Sequence, residues 1–75
     1  MMKFDYSKLN GRIVEVFGTQ KAFAEAMNLS ERTISLKLNS KIYFNQDEIV
    51  LGIQLLKLTV NDIPDYFFTL KVQVN

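Results

Sequence analysis

Seventy-five residues with 48% apolar content and a formal net charge of +1 describe one small domain with a modest core, and argue against disorder. The absence of Cys and His removes disulfides, thiolate metal sites, the common zinc ligands and the usual neutral-pH base, and makes a reducing cytoplasm the simplest home. No charged leader with an apolar core opens the chain and no apolar run approaches a membrane span, so neither export nor a membrane partner is expected.

Leu9, Ile13, Val16 and Phe17 recur at helical spacing, which predicts a first helix from about Ser7 to Phe17, slightly weakened by Gly11 and ended by Gly18 in a left-handed conformation. Thr19 suits the N-cap of a second helix, Gln20 to Met27, with Phe23, Ala24 and Met27 on its inner face. Asn28 fits a left-handed turn, Leu29 anchors that turn, and Ser30 caps a third helix, Glu31 to about Asn39, with Ile34 and Leu38 inside. Asn45 and Glu48 form a capping-box pattern ahead of a fourth helix, about Gln46 to Leu56. This helix is apolar on two faces, Ile49, Ile53 and Leu56 on one and Leu51, Leu55 and Leu58 on the other; the second needs cover from the tail or from another subunit. Asn61 is the expected cap of a short helix through Tyr66, with Pro64 tolerated in its first turn. Beyond it, Phe68, Leu70, Val72 and Val74 alternate with polar residues, as in a strand, which would pair with Met2-Lys3-Phe4 or with another subunit.

The pair of helices from 20 to 39 meets the demands of a helix-turn-helix. Ala24 is small where the helices cross, Leu29 plugs the corner, and Ile34 fills the gap from the other side. Many unrelated helical hairpins would satisfy the same three demands. Gln20, Phe23-Ala24, Leu29-Ser30, Thr33-Ile34-Ser35 and Leu38-Asn39, with the Ile63-Pro64-Asp65-Tyr66-Phe67-Phe68 tail, resemble the Cro/CI-type (XRE) helix-turn-helix family over roughly Lys8 to Phe68. The small size is most similar to Cro-like regulators of phages and prophages of Gram-positive bacteria. The resemblance implies an all-α, five-helix, lambda-repressor-like DNA-binding domain spanning residues 1–75, with a short extended tail at 68–75. Three positions depart from the family pattern: Asn28 replaces the usual turn Gly, Lys37 occupies a position that is usually apolar, and Ser40 stands where Gly often follows Asn39.

The same resemblance implies a sequence-specific transcriptional regulator, a Cro-like repressor that blocks a promoter by occupying a double-stranded DNA operator. Gln20 matches the family's phosphate-gripping Gln. Arg32 and Thr33 would sit at the exposed start of the third helix, where Arg32 suits a bidentate contact to guanine, a phosphate, or a surface ion pair. Glu31 could accept from cytosine or simply favour the helix dipole, Ser35 and Leu36 continue the outer face, and Leu36 could meet a thymine methyl. Lys37, Asn39 and Lys41 suit phosphates, and Tyr43 and Asn45 could add hydrogen bonds from the loop and the next helix start. Each of these side chains would look the same as ordinary solvated surface.

The charge is unevenly spread. Up to Lys41 there are seven Lys/Arg against four Asp/Glu, a balance of +3, and from Ile42 onward two against four, a balance of −2. A DNA-facing surface would belong to the first half, although two solvated faces would give the same counts. A small interface of this kind implies a two-fold homodimer on half-sites roughly 34 Å apart, joined through the fourth helix and the Phe67-to-Val74 tail. An enzyme is the weakest option, because no phosphate-cradling loop and no acid/base carboxylate pair is present; neither a cofactor nor a small-molecule substrate is expected. The serious alternative is a protein-interaction module, an adaptor, antitoxin or anti-repressor, that holds a partner through the apolar tail.

Overall fold

A computed structural model describes residues 2–72. Five α-helices follow one another: α1 (Ser7–Phe17), α2 (Gln20–Ala26), α3 (Glu31–Leu38), α4 (Gln46–Leu55) and α5 (Ile63–Phe67), with a 3-10 turn (Val60–Asp62) leading into α5. The chain is all-α, and among the described residues the only β pairing is an isolated antiparallel bridge between Phe4 and Leu70. No described helix is long and apolar enough to cross a membrane.

The helix starts follow local chemistry. Thr19 accepts from the Ala22 N–H at 3.1 Å, Ser30 from the Thr33 N–H at 3.0 Å, and Asn45 and Glu48 close a reciprocal capping box at 2.8 and 2.9 Å. One start lies elsewhere than expected. Asn61 falls inside the 3-10 turn, and Thr59 opens it, its N–H and hydroxyl both donating to the Asp62 carboxylate. Those bonds hold the Asp62 carboxyl below the usual carboxylate range.

The helix ends share one device. Asn28, Ser40 and Lys57 have φ of 60°, 56° and 57°. At each, the following N–H reaches back to the fifth residue before it: Leu29 to Ala24, Lys41 to Leu36 and Leu58 to Ile53, at 2.9, 2.9 and 2.8 Å. This is the Schellman arrangement, which favours Gly at the left-handed position. Ser40 has a reason not to be Gly. Its buried hydroxyl accepts from the Phe4 N–H at 2.9 Å and donates to the Phe4 carbonyl at 3.1 Å, tying the N-terminal segment to the end of α3. Lys57 is exposed and makes no such bond among the described residues. Lys57→Gly should therefore stabilise the fold by about 1 kcal/mol, through relief of left-handed strain. Ser40→Gly should not stabilise it, because the relief is offset by orphaning the Phe4 backbone. Urea midpoints of the two variants measure this difference.

Leu9 and Ile13 of α1, Phe23 of α2, Ile34 of α3 and the α4 cap residue Leu56 are the largest fully buried side chains. Ala24, 1% exposed, lies at the α2–α3 contact, and Leu29 packs against the core from beneath the turn. The second apolar face of α4 is covered from within the chain: Leu51, Leu55 and Leu58 pack half-buried against the same core, as do Ile63 and Tyr66 beside the buried Phe67. Arg12 of α1 fixes the end of α4 by donating from Nε to the Leu56 carbonyl at 2.9 Å.

The tail is only partly the strand its alternation suggests. The Asp5 N–H donates to the Thr69 carbonyl at 2.7 Å and the Lys71 N–H to the Lys3 carbonyl at 3.0 Å. The N-terminal segment is thus its partner, over a single bridge; Gln73 and Val74 lie outside the described residues.

Candidate functional site

Two surfaces compete for the functional role. The first is the outward side of α3. Glu31, Arg32 and Asn39 are exposed there, while Thr33, Ser35 and Leu36 are half-buried. Lys37 is buried, and several other polar side chains of this region bond within the chain. Lys37 is 7% exposed; its ammonium pairs with Glu48 at 2.8 Å, donates to the Tyr43 carbonyl at 2.8 Å, and stands 5.7 Å from the centre of the Phe44 ring. Asn39 donates back to the Ser35 carbonyl at 2.7 Å, and the hydroxyls of Ser30 and Thr33 bond each other at 2.8 Å. Gln20 reaches Asn10 of α1 at 3.3 Å, not a residue of α3. Asn45 is consumed by the capping box. Of the eleven residues singled out in the sequence, Arg32, Glu31 and Lys41 alone combine a formal charge with exposure, and Lys41 lies beyond the helix beside Met2 and Lys71.

The second surface lies where the two termini meet. The Phe44 and Phe67 ring centroids are 5.3 Å apart at 89°, Tyr6 stands 5.6 Å from Phe44, and Phe4 is 6.2 Å from Tyr6. From Phe4 the path reaches Tyr43 at 6.0 Å and Phe68 at 5.9 Å, both edge-on. Edge-to-face pairs at these separations are favourable contacts. This run of rings begins in the core and ends in water: Tyr43 and Phe68 are about half exposed, at 48% and 52%, and Met2 is 56% exposed. Together with Gln46 and Ile49 they line an apolar cleft of about 360 Å³. The backbone fixes its walls, since the Met2 N–H donates to the Tyr43 hydroxyl at 2.8 Å and Ser40 holds Phe4. Tyr43 is therefore a wall of the cleft, its hydroxyl accepting from Met2. Met2, Phe4 and Phe68 carry no functional signal in the sequence beyond their hydrophobicity; the only hint is the alternating apolar tail, which leaves one face without a partner in the chain.

Burial pushes the Tyr6 phenol up from its ordinary value, with a smaller contribution from nearby Tyr43. The cleft presents mostly apolar side chains to solvent.

A family model described as a protein of unknown function (DUF739) matches residues 2–70. No curated protein matches the chain. Among solved structures, the chain is similar to the solution structure of the modulator of repression of the temperate bacteriophage TP901-1 from Lactococcus lactis. The two share 54% identity over 96% of this chain and 97% of that one, with a TM-score of 0.80. These findings correct the expectation drawn from residues 20–39: the likeness is to this family and to a modulator of repression, and not to the Cro/CI-type (XRE) family or its DNA-binding repressors. The physical reason for the error is local. Ala24, Leu29 and Ile34 report how two helices pack, and a domain can keep that packing while its outer polar residues turn inward or bond to one another.

Proposed function

This chain belongs to the family of proteins described by DUF739, and from that premise we propose that it is a protein-binding regulatory module that adjusts repression through contact with a protein of the repression machinery. The single observation that carries this reading is the cleft of Met2, Phe4, Tyr43 and Phe68, whose run of rings is continuous with the core and ends at the half-exposed Tyr43 and Phe68. Exposed aromatic side chains around a preformed apolar cleft supply large contact area at small entropic cost, and such residues dominate the energetics of protein interfaces. The relative's description as a modulator of repression supports a role in the same kind of control. The notion of an anti-repressor or adaptor, raised by the apolar tail, fits this surface; occupancy of an operator does not.

A repression reporter tests the proposal. In Lactococcus lactis carrying a reporter under the repression system of phage TP901-1, this chain replaces the phage's own modulator. The wild-type chain is expected to change reporter output. Phe68→Ser combined with Tyr43→Ser should abolish the change, as expected when about 2 kcal/mol or more of interface energy is lost at each anchor. Arg32→Ala combined with Glu31→Ala should leave it within about twofold, because both are exposed on α3 and line neither cleft, and surface changes away from an interface are nearly neutral. The reverse pattern would remove the proposal.

A further inference from the structure

The aromatic cleft has a charged border. Across the N-terminal segment from it lies a second, wider cleft of about 780 Å³, lined by Met2, Lys3, Asn39, Lys41, Leu70, Lys71 and Val72. Met2 belongs to both, so the two form one continuous surface. Neither contains a carboxylate among its lining residues, and among the described residues none of Lys3, Lys41 and Lys71 takes part in a salt bridge.

The register concentrates this charge. Phe4 stands opposite Leu70, so Lys3 stands opposite Lys71, consistent with the bond from the Lys71 N–H to the Lys3 carbonyl. Like charges directly opposite one another across a pair of strands are unfavourable. Asp5 is the nearest carboxylate on this segment, but it accepts from both the N–H and the hydroxyl of Ser7 at the start of α1, and its attraction to Lys71 is the least of the influences on it. Among the described residues the lysine pair therefore forms no salt bridge, and Asp5, the carboxylate beside it, is held first by Ser7.

The same register leaves one edge open. Phe4 faces inward with its N–H and carbonyl closed by Ser40. Leu70, its opposite number, directs its own N–H and carbonyl away from the N-terminal segment, where no described backbone group meets them, and its side chain is 51% exposed. An open edge of this kind accepts an extended segment through main-chain hydrogen bonds.

We propose that the terminal surface is a receptor for an acidic, apolar-anchored extended segment of the protein partner, with one aromatic or aliphatic side chain in the cleft of Phe4, Tyr43 and Phe68 and carboxylates against Lys3, Lys41 and Lys71. This rests on the protein-binding function proposed above and adds the chemistry of the partner. Charge complementarity selects the occupant: carboxylates meet three ammonium groups that form no salt bridge among the described residues, whereas a basic segment would add to the repulsion between Lys3 and Lys71.

The test uses the full chain and three fluorescent synthetic peptides sharing one Phe anchor. Alternate positions carry Asp/Glu, Asn/Gln or Lys, and binding is read by anisotropy at low and high salt. The acidic peptide should bind at least about tenfold more tightly than the amide peptide, and lose most of that advantage at high salt. Lys3→Glu, Lys41→Glu and Lys71→Glu together should shift the preference to the Lys peptide; all three positions are exposed, so the fold is expected to survive, with circular dichroism as the check. Equal binding of acidic and amide peptides, preference for the Lys peptide by the wild-type chain, or no binding of any peptide would overturn the proposal. So would a dimer, or retention of duplex DNA, that the same triple substitution dissolves, since each assigns the lysines to a different occupant. The reporter separates the two levels. Failure of Phe68→Ser with Tyr43→Ser to affect it defeats the protein-binding function itself, whereas loss with that pair but full activity of the lysine triple defeats only the acidic partner.

Discussion

Phe23→Ala is expected to cost about 3–5 kcal/mol, the range for deleting a fully buried aromatic ring from a core that cannot collapse around it. Phe23 has no exposed surface, its ring lies 5.5 Å from that of Phe17, and its tip approaches Gly52 of α4 closely enough that a methyl there would touch it. It thus packs α2 against α1 and reaches toward α4. A chain of this length has a total stability on the order of 5–10 kcal/mol, so the variant should be largely unfolded on warming and show a collapsed urea midpoint. A shift in stability below about 1 kcal/mol would mean that the core is not centred on this ring.

The second large effect concerns the ion pair beneath α3. Glu48 Oε1 accepts from the Asn45 N–H at 2.9 Å and meets the Lys37 ammonium at 2.8 Å. The two side chains are only 8% and 16% exposed, so solvent screens the pair weakly. Glu48→Ala removes half of the capping box and leaves the Lys37 charge with the Tyr43 carbonyl, at 2.8 Å, as its hydrogen-bond partner among the described residues. A loss of about 3 kcal/mol is expected, the scale found when one member of a buried pair is deleted. Adding Lys37→Met to that background should recover more than half of the loss, because an apolar stem of similar length removes the stranded charge. The double-mutant cycle in urea should give a coupling above about 1 kcal/mol. Additive effects would mean that Lys37 and Glu48 do not depend on each other.

That ion pair also marks where the sequence ceased to be legible. Thr19, Ser30 and the Asn45–Glu48 box could be placed because a cap involves residues three apart, and Asn28 because its φ of 60° is one that Asn tolerates. The inner positions Phe23, Ala24, Ile34 and Leu38 follow from helical periodicity and are buried. Lys37 could not be placed: its stem alone does not say that the ammonium will turn in toward a carboxylate eleven residues away. The choice of Thr59 over Asn61 as the cap turned on the Asp62 carboxylate, and both threonine and asparagine are good caps in isolation. The cleft was the least visible feature, since Met2, Phe4, Tyr43 and Phe68 are brought together by Ser40 and by one antiparallel bridge spanning almost the whole chain. The repressor expectation failed at the same boundary. Helix packing is written in short-range spacing, whereas the availability of an outer face depends on bonds such as Asn39 to Ser35 and Lys37 to Glu48, which only the folded chain displays.

The most direct measurement is a backbone chemical-shift titration of the isotope-labelled chain with the purified repressor of phage TP901-1, the system in which the similar modulator works. The expected result is a contiguous set of changes at Met2, Phe4, Tyr43 and Phe68, with the amides of Glu31, Arg32 and Ser35 undisturbed. Changes confined to α3, or none at a saturating concentration of repressor, would contradict a protein-binding function seated in the aromatic cleft.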